Sequence, residues 1–261
     1  MKIKDEKRQK PRYGYYGLPK FSILIVVTIF IGISITIFFW QLPGILIMCF
    51  SFYAFLSFMI MQWRVGRSET WRLPEILKLR GDERVLDVGC GLGRMTIAVA
   101  EQLNNGEVIG IDIWDKMEIP GNSPDNAYAN AKIEGVQDKV GFKTGNVLNL
   151  QFPNKYFDLV TSSSVINNLH LKADKMRALT EIYRVLKPGG KFLMIEPLRN
   201  LRNFFFGWTP LGVWMLLPKG SWVDFLENSG FINLKYVYQD GSGIFLARKP
   251  LQDTILNEKP S

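Results

Sequence analysis

Histidine and cysteine are nearly absent from this chain. A single histidine, His170, leaves no ordinary zinc constellation, because such sites draw on several nitrogen and sulfur ligands. Of the two cysteines, Cys49 sits in an apolar stretch and Cys90 in a glycine-rich loop, which argues against a disulfide framework. Internal repeats and low-complexity tracts are missing as well. The largest absence is of charge. From Phe21 to Trp63 there is no Lys, Arg, Asp or Glu, whereas the rest of the 261 residues is normally charged. Two physical environments are implied.

The net charge of +8 is spread unevenly. Residues 1–20 hold Lys2, Lys4, Lys7, Arg8, Lys10, Arg12 and Lys20 against Asp5 and Glu6, and the chain from residue 64 onward is close to balanced. A basic excess beside an apolar segment suits membrane lipids with anionic headgroups, and no nucleic acid partner is expected.

Phe21–Trp40 is an uncharged run long enough to cross a hydrocarbon core of about 30 Å at 1.5 Å per residue. Gln41-Leu42-Pro43-Gly44 supplies a break, and Ile45–Trp63 is a second span. The expected organisation is a basic tail over 1–20, two transmembrane helices over about 21–40 and 45–63, and one domain over 64–261. Basic residues flank the pair at Lys20 and at Arg64, Arg67 and Arg72, and the connecting turn has none. The positive-inside rule then puts both termini and the domain in the cytoplasm. Tyr13, Tyr15, Tyr16, Trp40 and Trp63 fall near the expected interfaces. A cleaved signal peptide has a far shorter apolar core; a buried soluble hairpin is the competing reading.

From residue 64 onward strand-like and helix-like patterns alternate, the signature of an α/β domain. Strands are expected over 84–88, 107–112, 140–144, 157–162 and 191–196, with a closing hairpin over 232–239 and 244–249. Helices are expected from Ser123, an N-cap before Pro124, over 173–186, where Lys187-Pro188-Gly189-Gly190 reads as a stop, and over 222–228.

The sharpest local feature is Val85-Leu86-Asp87-Val88-Gly89-Cys90-Gly91-Leu92-Gly93-Arg94. Three alternate glycines between a strand and a helix let a ligand approach the backbone, and the helix start suits an anionic group. A dinucleotide fingerprint wants its third glycine at position 94, which is Arg94, and a Walker loop's Gly-Lys-Ser/Thr is absent. A purely structural tight turn stays open. Asp112 closes the second strand 23 residues after Gly89, near the offset at which a carboxylate meets a ribose; a strand-end cap is its bland alternative.

The segments VLDVGCGLGR, GIDIW, FDLVTSSSVINNL, IYRVLKPGGKFLMIE and ENSGFINL follow in this order over about 84–249, and resemble the class I S-adenosylmethionine-dependent methyltransferases. The resemblance implies a Rossmann-like α/β fold of seven strands, parallel except for one reversed strand near the C-terminus. It implies S-adenosylmethionine as cofactor. Asp87 with the backbone of Gly89, Cys90 and Gly91 then holds the methionine moiety, Asp112 the ribose, and Ile113 and Trp114 border the adenine. Asn146 and Val147 match a segment whose acid usually accepts from the adenine amine, and Asn146 departs from that acid.

Methyl transfer is a displacement at an activated carbon, so positioning supplies much of the rate and a base is needed only where the acceptor must lose a proton. Asn167 and His170 are the candidates on the acceptor side, Asn167 to orient and His170 as base; a helix-start histidine and a cap are their bland readings. Glu196, at the end of the fifth strand, is equally ambiguous. Leu198–Pro218 is rich in Phe and Trp with Arg199, Arg202 and Lys219 around it, which suits an apolar or amphiphilic acceptor, such as a lipid, a quinone or isoprenoid precursor, or a hydrophobic small molecule. Packing as core over the sheet is its alternative. An inactive membrane-bound scaffold with the same fold is the competing function, and a nicotinamide-dependent oxidoreductase is disfavoured by Arg94.

Overall fold

The computed structural model describes residues 10–14, 18–38, 41–67, 77–206 and 210–251. The residues before Lys10, Tyr15, Tyr16, Trp40, Arg72 and Trp208 lie outside them, as do the side chains of Arg64, Arg67, Phe205 and Phe206.

Two long helices come first, α1 (Leu18–Phe38) and α2 (Gln41–Arg67). Both are long and apolar enough to cross a membrane. Helix α2 begins at Gln41, so Gln41–Gly44 is its first turn and not the expected break. Pro43 is tolerated there because the first N–H groups of a helix have no intrahelical acceptor. Gly44 is a packing residue. A Cβ at this position would lie 1.8 Å from Thr36 Oγ1 and 2.7 Å from the Gly32 carbonyl, so its bare backbone lets the helices close. Ser51 donates to Thr28 Oγ1 at 3.0 Å across the pair, and Phe21 stacks on Phe58.

The remainder is a three-layer α/β domain. Its strands are β1 (Arg84–Val88), β2 (Glu107–Asp112), β3 (Val140–Thr144), β4 (Phe157–Ser163), β5 (Leu186–Pro197), β6 (Ile232–Gln239) and β7 (Ser242–Arg248), in the spatial order β3-β2-β1-β4-β5-β7-β6. All neighbours in the β3-to-β5 block are parallel, and β7 is reversed against both β5 and β6. This is the seven-stranded arrangement the resemblance implies. Helices α3 (Arg94–Ala100), α4 (Pro124–Glu134), α5 (Lys172–Val185) and α8 (Lys219–Asn228) flank the sheet, and the short α6 (Leu201–Phe206) and α7 (Pro210–Trp214) follow β5.

Alternation along the strands feeds two cores. Leu86 and Val88 join Phe192, Trp222 and Phe245 on the face covered by α5 and α8, while Val85 joins Ile97 and Ala131 on the face of α3 and α4. Ser123 caps α4 by accepting from the Asn126 N–H at 3.3 Å. Two segments depart from expectation. Lys187–Gly190 belongs to β5 as a bulged entry, because its pairing with β4 slips between Phe157 and Leu159, and Gly189 turns with φ 76°. The closing hairpin turns on only Asp240 and Gly241, both with positive φ, the pair a tight primed turn requires.

Strand order reverses between β1 and β4, so the crevice beyond the carboxyl ends of these strands is where a ligand of such a sheet binds.

Candidate functional site

The glycine loop leaves β1 at this crevice. Gly89, Gly91 and Gly93 have φ of 68°, 52° and 86°, a left-handed region that side chains disfavour. Gly89 and Cys90 donate their N–H groups to the Ile111 carbonyl at 2.8 and 3.0 Å, which pins the loop to the end of β2. Asp112 completes the joint. Its Oδ2 accepts from the Gly91 N–H at 2.8 Å, and its Oδ1 accepts from the Trp114 N–H at 2.7 Å and from Asn122 Nδ2 at 3.1 Å. A carboxylate offers about four acceptor directions, so three bonds leave room on Oδ2 for a ligand hydroxyl.

Asp87 lies beneath the loop. Thr96 and Thr161 donate to its two oxygens at 2.6 and 2.8 Å, and burial raises its carboxyl to about 6 despite both hydroxyls. It ties the end of β1 to α3 and to β4. Cys90 is buried, and its thiol is pushed well above the usual range by burial first and then by Asp87 and Asp112, so it is no nucleophile.

Around the loop, Ile113 is 65% exposed, whereas Trp114 is half-buried and donates its indole N–H to Thr144 Oγ1 at 3.1 Å. Asn146 is exposed, and its Oδ1 accepts from the Leu148 N–H at 2.9 Å in a local turn. Val147 is buried in the core beside Leu86 and Ile111. The Gly145 N–H, donating to the Asp112 carbonyl at 3.0 Å, holds this turn next to the end of β2.

The segment between β4 and α5 closes over the loop from the other side. Val165 sits so near Gly89 that a Cβ there would lie 2.2 Å from Val165 Cγ2. Two buried charged residues set this turn. Glu196 Oε1 accepts from the N–H groups of Val165 and Ile166 at 3.2 and 2.9 Å, and Lys175 Nζ donates to the carbonyls of Ile166 and Asn167 at 2.8 and 2.9 Å. Burial raises the Glu196 carboxyl to about 8 and lowers the Lys175 amine. Asn167 Oδ1 and Glu196 Oε2 are buried with no hydrogen-bond partner among the described residues. His170 is exposed, two residues before α5.

Residues 86–194 match the family described as a methyltransferase domain. The demethylmenaquinone methyltransferase of Lactiplantibacillus plantarum is 39% identical over 137 residues, 51% of this chain and 53% of that protein. That of Symbiobacterium thermophilum is 32% identical over 59% of this chain and 62% of its own. A solved methyltransferase from Aquifex aeolicus superposes with a TM-score of 0.58 at 17% identity, over 75% of this chain and 97% of that one. The fold is that of the class I methyltransferases. The chain spans only 44% to 62% of the length of the curated relatives it matches.

A methyltransferase domain of this class implies S-adenosylmethionine as methyl donor, and the residues present fit it. The positive-φ glycines let backbone approach a ligand, and Asp112 retains acceptor capacity suited to a ribose hydroxyl. Asn146 fits less directly, because its oxygen is engaged by Leu148.

Two residues that shape the site lie outside the motifs. Lys175 carries a readable signal, a lysine on the face of α5 that holds Ala178, Leu179, Ile182 and Val185. Asn203 carries no such signal. It is buried, and its Nδ2 donates to the carbonyls of Leu198 and Gly241 at 2.6 and 2.7 Å, tying the segment after β5 to the β6–β7 turn. That segment divides its apolar residues. Val213 and Leu216 are buried, whereas Leu201, Trp214 and Met215 face out, with the Arg199 guanidinium 5.9 Å from the Trp214 ring centroid.

Proposed function

We propose that the chain is a membrane-anchored enzyme that transfers the methyl group of S-adenosylmethionine to a small lipophilic acceptor, of the quinone or isoprenoid-precursor kind. The carrying observation is the hydrogen-bonded joint of Gly91 with Asp112 at the switch point of the sheet. The similarity to enzymes named for demethylmenaquinone supports the acceptor class, and the two apolar helices support the anchor. In this reading 1–20 is a basic tail, 21–63 a transmembrane hairpin and 64–261 the catalytic domain, with both termini and the domain cytoplasmic.

The bound donor supplies a methyl carbon already activated by a sulfonium leaving group. What remains for the chain is binding, alignment and water exclusion. Gly89, Cys90 and Gly91 lend backbone to the methionine moiety above Asp87, and Asp112 accepts from the ribose. Ile113 and Trp114 border the adenine, with Asn146 and Val147 beyond. Asn167 orients the acceptor through hydrogen bonds, and His170 takes a proton where the acceptor must lose one.

Titration of the full chain in detergent with S-adenosylmethionine, by calorimetry, tests the donor. Micromolar binding is expected, weakened at least tenfold, or about 1.4 kcal/mol, in Asp112→Ala. A folded chain that binds no donor sinks the reading. Labelled methyl transfer into a membrane-lipid extract then tests the acceptor. A second reading, an inactive donor-binding scaffold, is favoured by the engaged oxygen of Asn146; binding without transfer to any extract would select it.

A further inference from the structure

The hairpin and the tail before it meet the domain at segments that follow β1, β2 and β5. Lys20, at the start of α1, pairs with Glu118 and lies 3.8 Å from Asp115, both in the segment after β2. Just before it, the Arg12 backbone exchanges two hydrogen bonds with Asn130, at 2.9 and 3.0 Å, and Asn130 also donates to the Leu92 carbonyl in the glycine loop at 2.9 Å. The Arg94 guanidinium stands 4.7 Å from the Tyr13 ring centroid. Helix α2, whose end lies beside the start of α1, touches α6 in the segment after β5. Segments that follow β1, β2 and β5 all leave the sheet at its carboxyl edge.

The same edge exposes large apolar side chains. Ile113 follows β2, Leu171 follows β4, and Leu201, Trp214 and Met215 follow β5; each is at least 64% exposed. Arg199, Arg202 and Lys219 are exposed among them. Apolar side chains with basic neighbours are the composition of a surface that dips into a lipid headgroup layer. The opposite edge exposes polar Asn104, Asn105, Asn154 and Lys155, with Ile232 and Leu251 as its apolar residues.

From this geometry we infer that the carboxyl edge of the sheet is seated on the bilayer leaflet from which the hairpin enters, so that the acceptor passes into the crevice from the membrane beside α6 and α7. The occupant of the exposed apolar surface is the bilayer, because the helices continuous with it are the ones built to span. The inference rests on the anchored reading above and adds an orientation that anchoring alone leaves open, since a tethered domain can face any way.

The test is spin-label accessibility of the full chain in vesicles of phosphatidylethanolamine and phosphatidylglycerol. Single labels go on Leu46→Cys in the hairpin, Leu171→Cys and Trp214→Cys at the carboxyl edge, and Asn105→Cys at the opposite edge. All are made in a Cys49→Ser background, with Cys90 buried. Every labelled side chain is exposed, so the fold is retained. Relaxation by oxygen, which partitions into lipid, should exceed relaxation by a water-soluble nickel chelate at 46, 171 and 214, with the order reversed at 105. Lipid signature at 46 with an aqueous one at both 171 and 214 overturns the orientation and leaves the anchor standing. An aqueous signature at 46 overturns the anchor, and the orientation with it.

Discussion

Glu196 is a fully buried carboxyl at the end of β5. Burial holds its carboxyl at about 8, against the pull of the Ile166 N–H and of Lys175. Between the ordinary carboxylate range and that value, the unfolded chain has lost the proton and the folded chain keeps it. The folded state binds more protons, so stability falls as pH rises through this window and levels off above about 8. Glu196→Gln keeps an oxygen for the N–H groups of Val165 and Ile166 and removes the titration. Relative to this variant, wild type should lose stability from about pH 5 to about pH 8, on the order of 1.4 kcal/mol per unit of displacement. Thermal-unfolding midpoints that run parallel for the two proteins would contradict the assignment. Gly89 makes a steric test. With φ at 68° and Val165 in the way, Gly89→Ala should cost about 1–3 kcal/mol and weaken donor binding, whereas Gly141→Ala, in open space, should be silent in denaturation and calorimetry. The position of Asp112 at the end of β2 was legible in the sequence because it follows from an offset along the chain. The contact of Glu196 with Val165 and Ile166 was not, because it forms only when the turn after β4 lies across the end of β5.

Among the elements, the hairpin and the tail before it show how local chemistry becomes architecture. Gly32 and Gly44 face each other where α1 and α2 cross, so Gly44→Val forces the helices apart. A cost of about 1–3 kcal/mol is expected from overpacking, read as a lower unfolding midpoint of the full chain in detergent. The sequence places Gly44 in a break between the spans, whereas it lies in the first turn of α2 against Gly32. A glycine beside a proline suits a turn and a close helix crossing equally, and only the partner helix distinguishes them. Asn130 is a joint between elements, buried between the tail, α4 and the glycine loop. Asn130→Ala should release the tail, speeding tryptic cleavage after Arg12, and weaken donor binding several-fold. Unchanged proteolysis would show the tail held by other contacts.

For the whole molecule, orientation on the membrane predicts kinetics. Trp214 is 69% exposed at the carboxyl edge, and lipid insertion of a large apolar side chain is worth about 1.5–3 kcal/mol. In Trp214→Glu the apparent KM for an acceptor embedded in vesicles should rise about tenfold or more, with the affinity for S-adenosylmethionine unchanged. Equal KM values in wild type and variant would mean that the acceptor arrives from water.

Chain-local information was enough for the two long apolar helices, the strands bracketing the glycine loop, and the place of Asp112 at the end of β2. Each rests on spacing, periodicity or composition within a few tens of residues, which is the range over which sequence pattern dictates backbone shape. Tertiary structure decided the rest. Lys175 and Glu196 became one clamp, Asp87 became a buried tie, Val147 went into the core, and the hairpin met the domain at the carboxyl edge of the sheet. These depend on which surfaces are left to pack once the sheet has formed, and that is a property of the assembled layers.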